Sequence, residues 1–220
     1  MRVSDANRVL FVHVPKTGGS TIDRIFDNQV PDARKVKGAK RHHTYRQLLK
    51  IEPELTDYWS CGFVRNPWAR MVSWWAMTVD MYNRAESGHE VARRKVENLR
   101  RVWGPLGEYR DDFSRFVMEG TANVPRLRVP QLKRLSAPGG RTVEFVGRVE
   151  NFLHDVNVVR EKLGLEAVEA LPRHNKSSHG HYSDYYDDQS RDRVAELYAM
   201  DIEAFGYAFE RPDESAASAT

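Results

Sequence analysis

Residues 13–22 read HVPKTGGSTI, a stretch in which a lysine, two adjacent glycines and three hydroxyl side chains follow directly on an apolar run. These residue types suit an anion. Gly18 and Gly19 let the backbone come close to phosphate oxygens, so that amide N–H groups and a helix N-terminus can donate to them. Lys16 adds a compact positive charge, and Thr17, Ser20 and Thr21 add hydroxyl donors. The composition is that of a phosphate cradle, but the spacing is not that of an ATP-binding P-loop. That motif needs a lysine directly after its second glycine, whereas Lys16 precedes both glycines and no matching glycine stands upstream.

A second anion-binding pattern lies at 65–73, RNPWARMVS. Arg65 can grip a phosphate with two parallel hydrogen bonds, and Ser73 can add a hydroxyl if its helix passes beside the same group. Each residue alone has a plainer reading, Arg65 as half of an ion pair and Ser73 as a helix-surface residue. A proton acceptor has to titrate near neutrality, and among eight histidines the pair in KRHHTY at 40–45 stands between the two anion motifs. His42 is the first candidate and His43 the second. His13 lies inside an apolar run and reads as structural.

The elements that position these residues follow from local signals. Residues 8–14 form a β-branched and aromatic run that stops at Pro15, the pattern of a buried strand entering a loop, and a helix is expected over 20–26. A second strand, 61–64, ends at Arg65. Asn66 can cap the helix that follows, and Pro67 suits its first turn because proline lacks the amide hydrogen left unpaired there. Ser87 and Glu90 have the spacing of a capping box ahead of a helix carrying Ala92, Val96, Leu99 and Trp103. A third strand is expected at 143–149 and one helix over 188–205. Strands alternating with helices predict an α/β fold, a single three-layer domain with a central, mostly parallel sheet, whose ligands gather beyond the carboxyl ends of the strands. Both anion motifs lie at such ends.

Together, strand-HVPKTGGST-helix and strand-VRNPWARMVS-helix resemble the two donor-binding motifs of the sulfotransferase superfamily that uses 3′-phosphoadenosine 5′-phosphosulfate (PAPS), in particular the branch of bacterial enzymes and carbohydrate O-sulfotransferases. The likeness continues in FVGRVENFLHD at 145–155 and in LPRHNKSSHGHYSDYYDD at 171–188, and spans roughly residues 8–209. It implies a P-loop-like phosphosulfate-binding loop at Lys16, Thr17, Gly18, Gly19, Ser20 and Thr21, and a 3′-phosphate site at Arg65 and Ser73. It also implies donor contacts from Lys176 and Ser177 in a covering loop, and a histidine base, since His42 with Thr44 matches a His-x-Thr pattern of relatives. The product nucleotide would be adenosine 3′,5′-bisphosphate and the acceptor a hydroxyl, on a carbohydrate or a small metabolite. The alternatives are an atypical P-loop kinase and a non-catalytic nucleotide- or polyanion-binding module.

Bulk properties narrow the field further. A formal charge of +3 does not by itself demand a nucleic-acid partner, so an anion site must be local. No apolar stretch reaches the length of a membrane span. One cysteine, Cys61, excludes an intramolecular disulfide and fits a cytoplasmic protein. No cluster with metal-ligand spacing appears, and sulfuryl transfer needs no metal when side chains supply the charge. The domain is expected over 1–212, with 213–220 a disordered tail. The arginine-rich stretch between 82 and 141, interleaved with Trp103, Tyr109 and Phe113, reads either as an acceptor surface or as a solvated face over core aromatics.

Overall fold

A computed structural model of the chain describes residues 1–171 and 180–211, the side chains of 98–105 excepted. In chain order the main elements are β1 (Arg2–Ser4), β2 (Val9–Val12), α1 (Gly19–Gln29), α2 (Tyr45–Ile51), β3 (Trp59–Val64), α3 (Pro67–Glu86), α4 (Glu90–Trp103), α5 (Gln131–Leu135), β4 (Phe145–Arg148), α6 (Phe152–Lys162), α7 (Asp188–Leu197) and α8 (Ala199–Phe205). The chain groups into two compact units, Met1–Arg65 with Pro130–Lys176, and Asn66–Val129 with Ser177–Thr220.

The first unit holds the sheet, in the order β1-β2-β3-β4. The β2–β3 and β3–β4 pairs are parallel, with Val12 opposite Gly62 and Val64 opposite Arg148, while β1 runs antiparallel beside β2. Alternation along each strand divides its side chains between the two faces. Val9, Phe11, Cys61 and Phe63 pack with Ile22, Ile25 and Phe26 of α1 and with Val156 and Val159 of α6. Phe11, Phe26 and Phe63 are fully buried there, each contributing roughly 1.5–3 kcal/mol of transfer free energy. On the opposite face Gly62 lies under Leu135 of α5, so close that a Cβ would come within 2.3 Å of its side chain, and Ser60 faces the hydroxyl of the buried Tyr45 on α2. Helices thus cover both faces of a mostly parallel sheet, as expected. The strand β1 was not foreseen, because three residues are too few to show a period. Burial pushes the Cys61 thiol far above its ordinary range, which makes it an inert packing group.

The second unit is built on α3. Its start is the one predicted: the Asn66 side chain accepts from the Trp68 and Ala69 amides at 3.1 and 3.4 Å, with Pro67 in the first turn, and the Asn66 amide also donates to the Ala208 carbonyl at 2.9 Å. Two indoles anchor the helix, Trp68 donating to the Arg191 carbonyl and Trp75 to the Arg110 carbonyl, both at 3.0 Å. Phe113 lies between Trp75 and Tyr186, at ring-centroid distances of 5.6 and 4.8 Å.

Two sequence expectations are corrected here. Ser87 does not cap α4: it ends α3, its amide donating to the Asn83 carbonyl and its hydroxyl to that of Arg84, and the α4 amide of Ala92 is met instead by His89 Nδ1 at 3.3 Å. The helix expected over 188–205 is two, broken at Tyr198, which is buried with its hydroxyl donating to the Leu127 carbonyl. Tyr109 and Phe113 are buried; of the basic residues in the arginine-rich stretch, Arg126, Arg128, Lys133 and Arg141 are exposed and Arg134 is buried. Arg141 donates to the Thr56 carbonyl and hydroxyl at 2.7 and 2.6 Å.

Candidate active site

The candidate residues of the first unit gather at the carboxyl ends of β2, β3 and β4. After β2 the chain turns through Lys16 at φ +70° and Gly18 at φ +75° before α1 begins at Gly19. A side chain in this left-handed region costs roughly 1–2 kcal/mol, so Lys16 is held there by its surroundings. One restraint is visible: the Thr17 hydroxyl, 1% exposed, donates to the Val14 carbonyl at 2.9 Å, which leaves its backbone amide as the group it can offer an anion. The two glycines are required sterically. A Cβ on Gly18 would come within 2.6 Å of the Phe152 ring at the start of α6, and one on Gly19 within 2.5 Å of the His13 ring. Phe152 in turn meets Phe63 of β3 edge to face at 5.3 Å, so the loop rests on side chains from the ends of the neighbouring strands.

Beneath this loop lies a chain of hydrogen bonds. The buried His13 ring places Nδ1 3.1 Å from Asp23 on α1, and Asp23 also accepts from Arg41 at 3.1 Å, while Arg41 donates to the Ser20 hydroxyl at 3.0 Å. Burial lowers the His13 pKa, outweighing the pull of Asp23. Burial works the other way on Asp23, but the His13 hydrogen bond and the neighbouring positive charges hold its carboxyl well below the usual range. A neutral His13 therefore donates its Nδ1 proton to an ionised Asp23.

His42 packs edge-on against His13, with ring centroids 4.9 Å apart and planes at 88°, and its Nδ1 lies 3.3 Å from the His13 carbonyl. A carbonyl only accepts, so Nδ1 carries the hydrogen and Nε2 holds a free lone pair. Burial first, then His13 and the cations Arg41 and Arg134, lower its pKa to about 3. His43 is half-buried and has no hydrogen-bond partner at Nδ1. The adjoining Thr44 caps α2 in a reciprocal box with Gln47, which fixes the position of the two histidines before it.

Both histidines of this pair, His13 and His42, have folded-state pKa values below the ordinary 6.5, so the folded protein binds fewer protons than the unfolded chain. Their contribution to stability is complete above pH 6.5 and is lost as the pH falls from there toward their folded values, at no more than about 1.4 kcal/mol per pH unit for each group. Urea midpoints should therefore fall on acidification from pH 6.5 to 4.5, and His42→Gln should flatten that slope.

Beside the loop, β3 ends at Arg65, whose backbone is held on both sides by one side chain. Gln131 of α5, fully buried, accepts from the Arg65 amide at 2.9 Å and donates to its carbonyl at 2.8 Å. Sequence reading missed Gln131, because its partner is distant in the chain and no local pattern marks it. Ser73 lies half-buried on α3 in the second unit. Lys176 and Ser177 lie outside the described residues. Among the described residues no three His, Cys, Asp or Glu side chains are placed to hold a metal ion, and no helix is long and apolar enough to cross a membrane.

A lysine- and glycine-bearing loop that opens a helix at the carboxyl edge of a parallel sheet defines an α/β protein of the phosphate-cradling class. The profile of the sulfotransferase family matches residues 1–208, across both units, and the chain belongs to that family: it is a single α/β domain of the sulfotransferase fold and a transferase of sulfuryl groups. No curated protein matches it.

Proposed function

We propose that the protein transfers a sulfuryl group from PAPS to a hydroxyl on a carbohydrate or small metabolite, with His42 as general base. The observation that carries this reading is the pairing of the Lys16–Gly19 loop with a histidine whose Nδ1 hydrogen is held by the His13 carbonyl, leaving Nε2 to receive a proton. Lys16, the amides of Thr17, Gly18 and Gly19, and the Ser20 and Thr21 side chains hold the 5′-phosphosulfate. Arg65 binds the 3′-phosphate. The family resemblance adds Ser73 to that phosphate, and Lys176 and Ser177 to the nucleotide.

In the reaction the acceptor O–H proton passes to His42 Nε2 as the new O–S bond forms. The bond between sulfur and the bridging oxygen breaks, and adenosine 3′,5′-bisphosphate leaves with its new charge facing Lys16. A pKa of about 3 makes His42 a weak base by itself. The anionic donor raises it, because a nearby negative charge favours imidazolium, and brings the group toward the range in which general bases work best. No metal is needed in this scheme.

His42→Gln is expected to lower sulfuryl transfer by 10²–10⁴-fold, measured as radiolabel moved from [³⁵S]PAPS onto a pooled set of sugars and phenols, with nucleotide affinity unchanged. His43→Gln should leave the rate within a few fold. An unchanged rate in His42→Gln, or loss in His43→Gln alone, contradicts the assignment.

A further inference from the structure

His13, one residue past the end of β2, is where the donor loop and the proposed base meet. A Cβ on Gly19 would lie 2.5 Å from its Cδ2 and Nε2, and the same ring meets His42 edge to face. The bond from Nδ1 to Asp23, 7% exposed on the second turn of α1, fixes which nitrogen of that ring carries the hydrogen. The same carboxylate oxygen accepts from Arg41, the residue next to His42, and Arg41 also donates to Ser20 in the first turn of α1.

Asp23 therefore reaches His42 by two routes, through the His13 ring that packs on it and through Arg41 that precedes it in the chain. His42 needs such support. Its own bond to the His13 carbonyl is long, at 3.3 Å, and a neutral imidazole offers a lone pair at Nε2 only while the hydrogen stays on Nδ1. Arg134 donates to the His42 carbonyl at 3.4 Å, a bond that acts on the backbone and not on the ring. An ionised carboxylate this deeply buried is costly, even with its second oxygen 3.5 Å from the Met1 amino group. Apolar side chains can often replace a buried ion network at little or no loss of stability, so the value of this one lies in what it orients.

We infer that Asp23 is a positioning residue for the transfer reaction. It holds the His42 ring with its hydrogen on Nδ1 and its Nε2 lone pair open, and it ties that arrangement to Ser20 at the donor loop. The inference rests on His42 as the general base for its link to rate, but control of the His42 ring is tested separately.

The first test is ¹⁵N NMR of the histidine rings in the full chain at neutral pH, with His13 and His42 assigned from the His13→Gln and His42→Gln spectra. In the wild type His42 should show one tautomer, with the hydrogen on Nδ1. In Asp23→Asn, and in Arg41→Met, its two nitrogens should move toward averaged shifts. The Arg41 side chain is 56% exposed, so its replacement leaves the fold intact should Asp23→Asn fail to fold. The second test is the rate of label transfer from [³⁵S]PAPS to the pooled sugars and phenols at saturating donor. Asp23→Asn should lower it by about 30-fold, within the roughly 10²-fold that a misplaced catalytic group costs, with bisphosphate affinity within about threefold of the wild type. In the His42→Gln background the same change should cost less than about threefold, because a residue that acts through another has nothing left to act on. A carboxylate that only neutralises its cationic neighbours would cost the same factor in both backgrounds. His42 keeping its Nδ1 hydrogen in both variants, or a rate loss undiminished in the His42→Gln background, overturns the inference. A His42→Gln protein as active as the wild type would instead remove the general-base reading, and the tautomer measurement would still decide whether Asp23 sets the ring.

Discussion

Lys16→Met is expected to reduce sulfuryl transfer from PAPS by about 10³-fold while adenosine 3′,5′-bisphosphate still binds within tenfold of the wild type. The asymmetry follows from where charge develops. On the proposed pathway the bridging oxygen gains negative charge as the S–O bond breaks, and a positioned cation is worth most at that moment; removing one such preorganised group typically costs 10²–10³ in rate. The bound product nucleotide is also held by loop amides and by Arg65, so its affinity depends less on the lysine. The left-handed backbone at Lys16 and the Thr17 hydrogen bond to Val14 remain available in the variant, which makes a rate defect readable as chemistry rather than unfolding. Equal losses in rate and in bisphosphate affinity would mean that Lys16 binds the ground state as strongly as the transition state.

Arg65→Ala should weaken adenosine 3′,5′-bisphosphate by about 100-fold, roughly 2.8 kcal/mol, and leave adenosine 5′-phosphate almost unaffected. Only the 3′-phosphate separates the two ligands, so their ratio isolates the proposed contact. The buried Gln131 bonds to the backbone amide and carbonyl of Arg65, and these bonds survive truncation of the side chain, so the fold should tolerate the change. A variant that loses both nucleotides equally would point to a general disturbance of the sheet edge.

Much of this site is legible from the chain, for local reasons. The loop after β2 announces itself because glycine, lysine and hydroxyl residues are confined to one strand-to-helix turn, and Asn66-Pro67 marks the start of α3 because cap chemistry acts over three residues. What the sequence conceals is tertiary. Asp23 reads as an ordinary helix acid until His13 and Arg41 are found bonded to its Oδ2, and Gln131 as an ordinary polar residue until it is found bonded to the Arg65 backbone. The sequence ranks His42 ahead of His43 only through the His-x-Thr resemblance; that the His42 ring is the one that reaches the His13 carbonyl is tertiary information. Two local rules mislead for the same reason. Ser87-x-x-Glu90 satisfies the capping pattern, yet the end of α3 claims Ser87 first, and Tyr198 interrupts a good helical period because its hydroxyl is drawn to Leu127.

The proposed donor site implies nucleotide selectivity most directly, and calorimetric titration of the wild-type protein with adenosine 3′,5′-bisphosphate, and separately with ATP and magnesium, measures it. Micromolar binding of the bisphosphate, at least tenfold tighter than ATP with magnesium, is the predicted result. ATP with magnesium binding as tightly or more tightly would contradict the PAPS site and favour a phosphoryl-transfer enzyme.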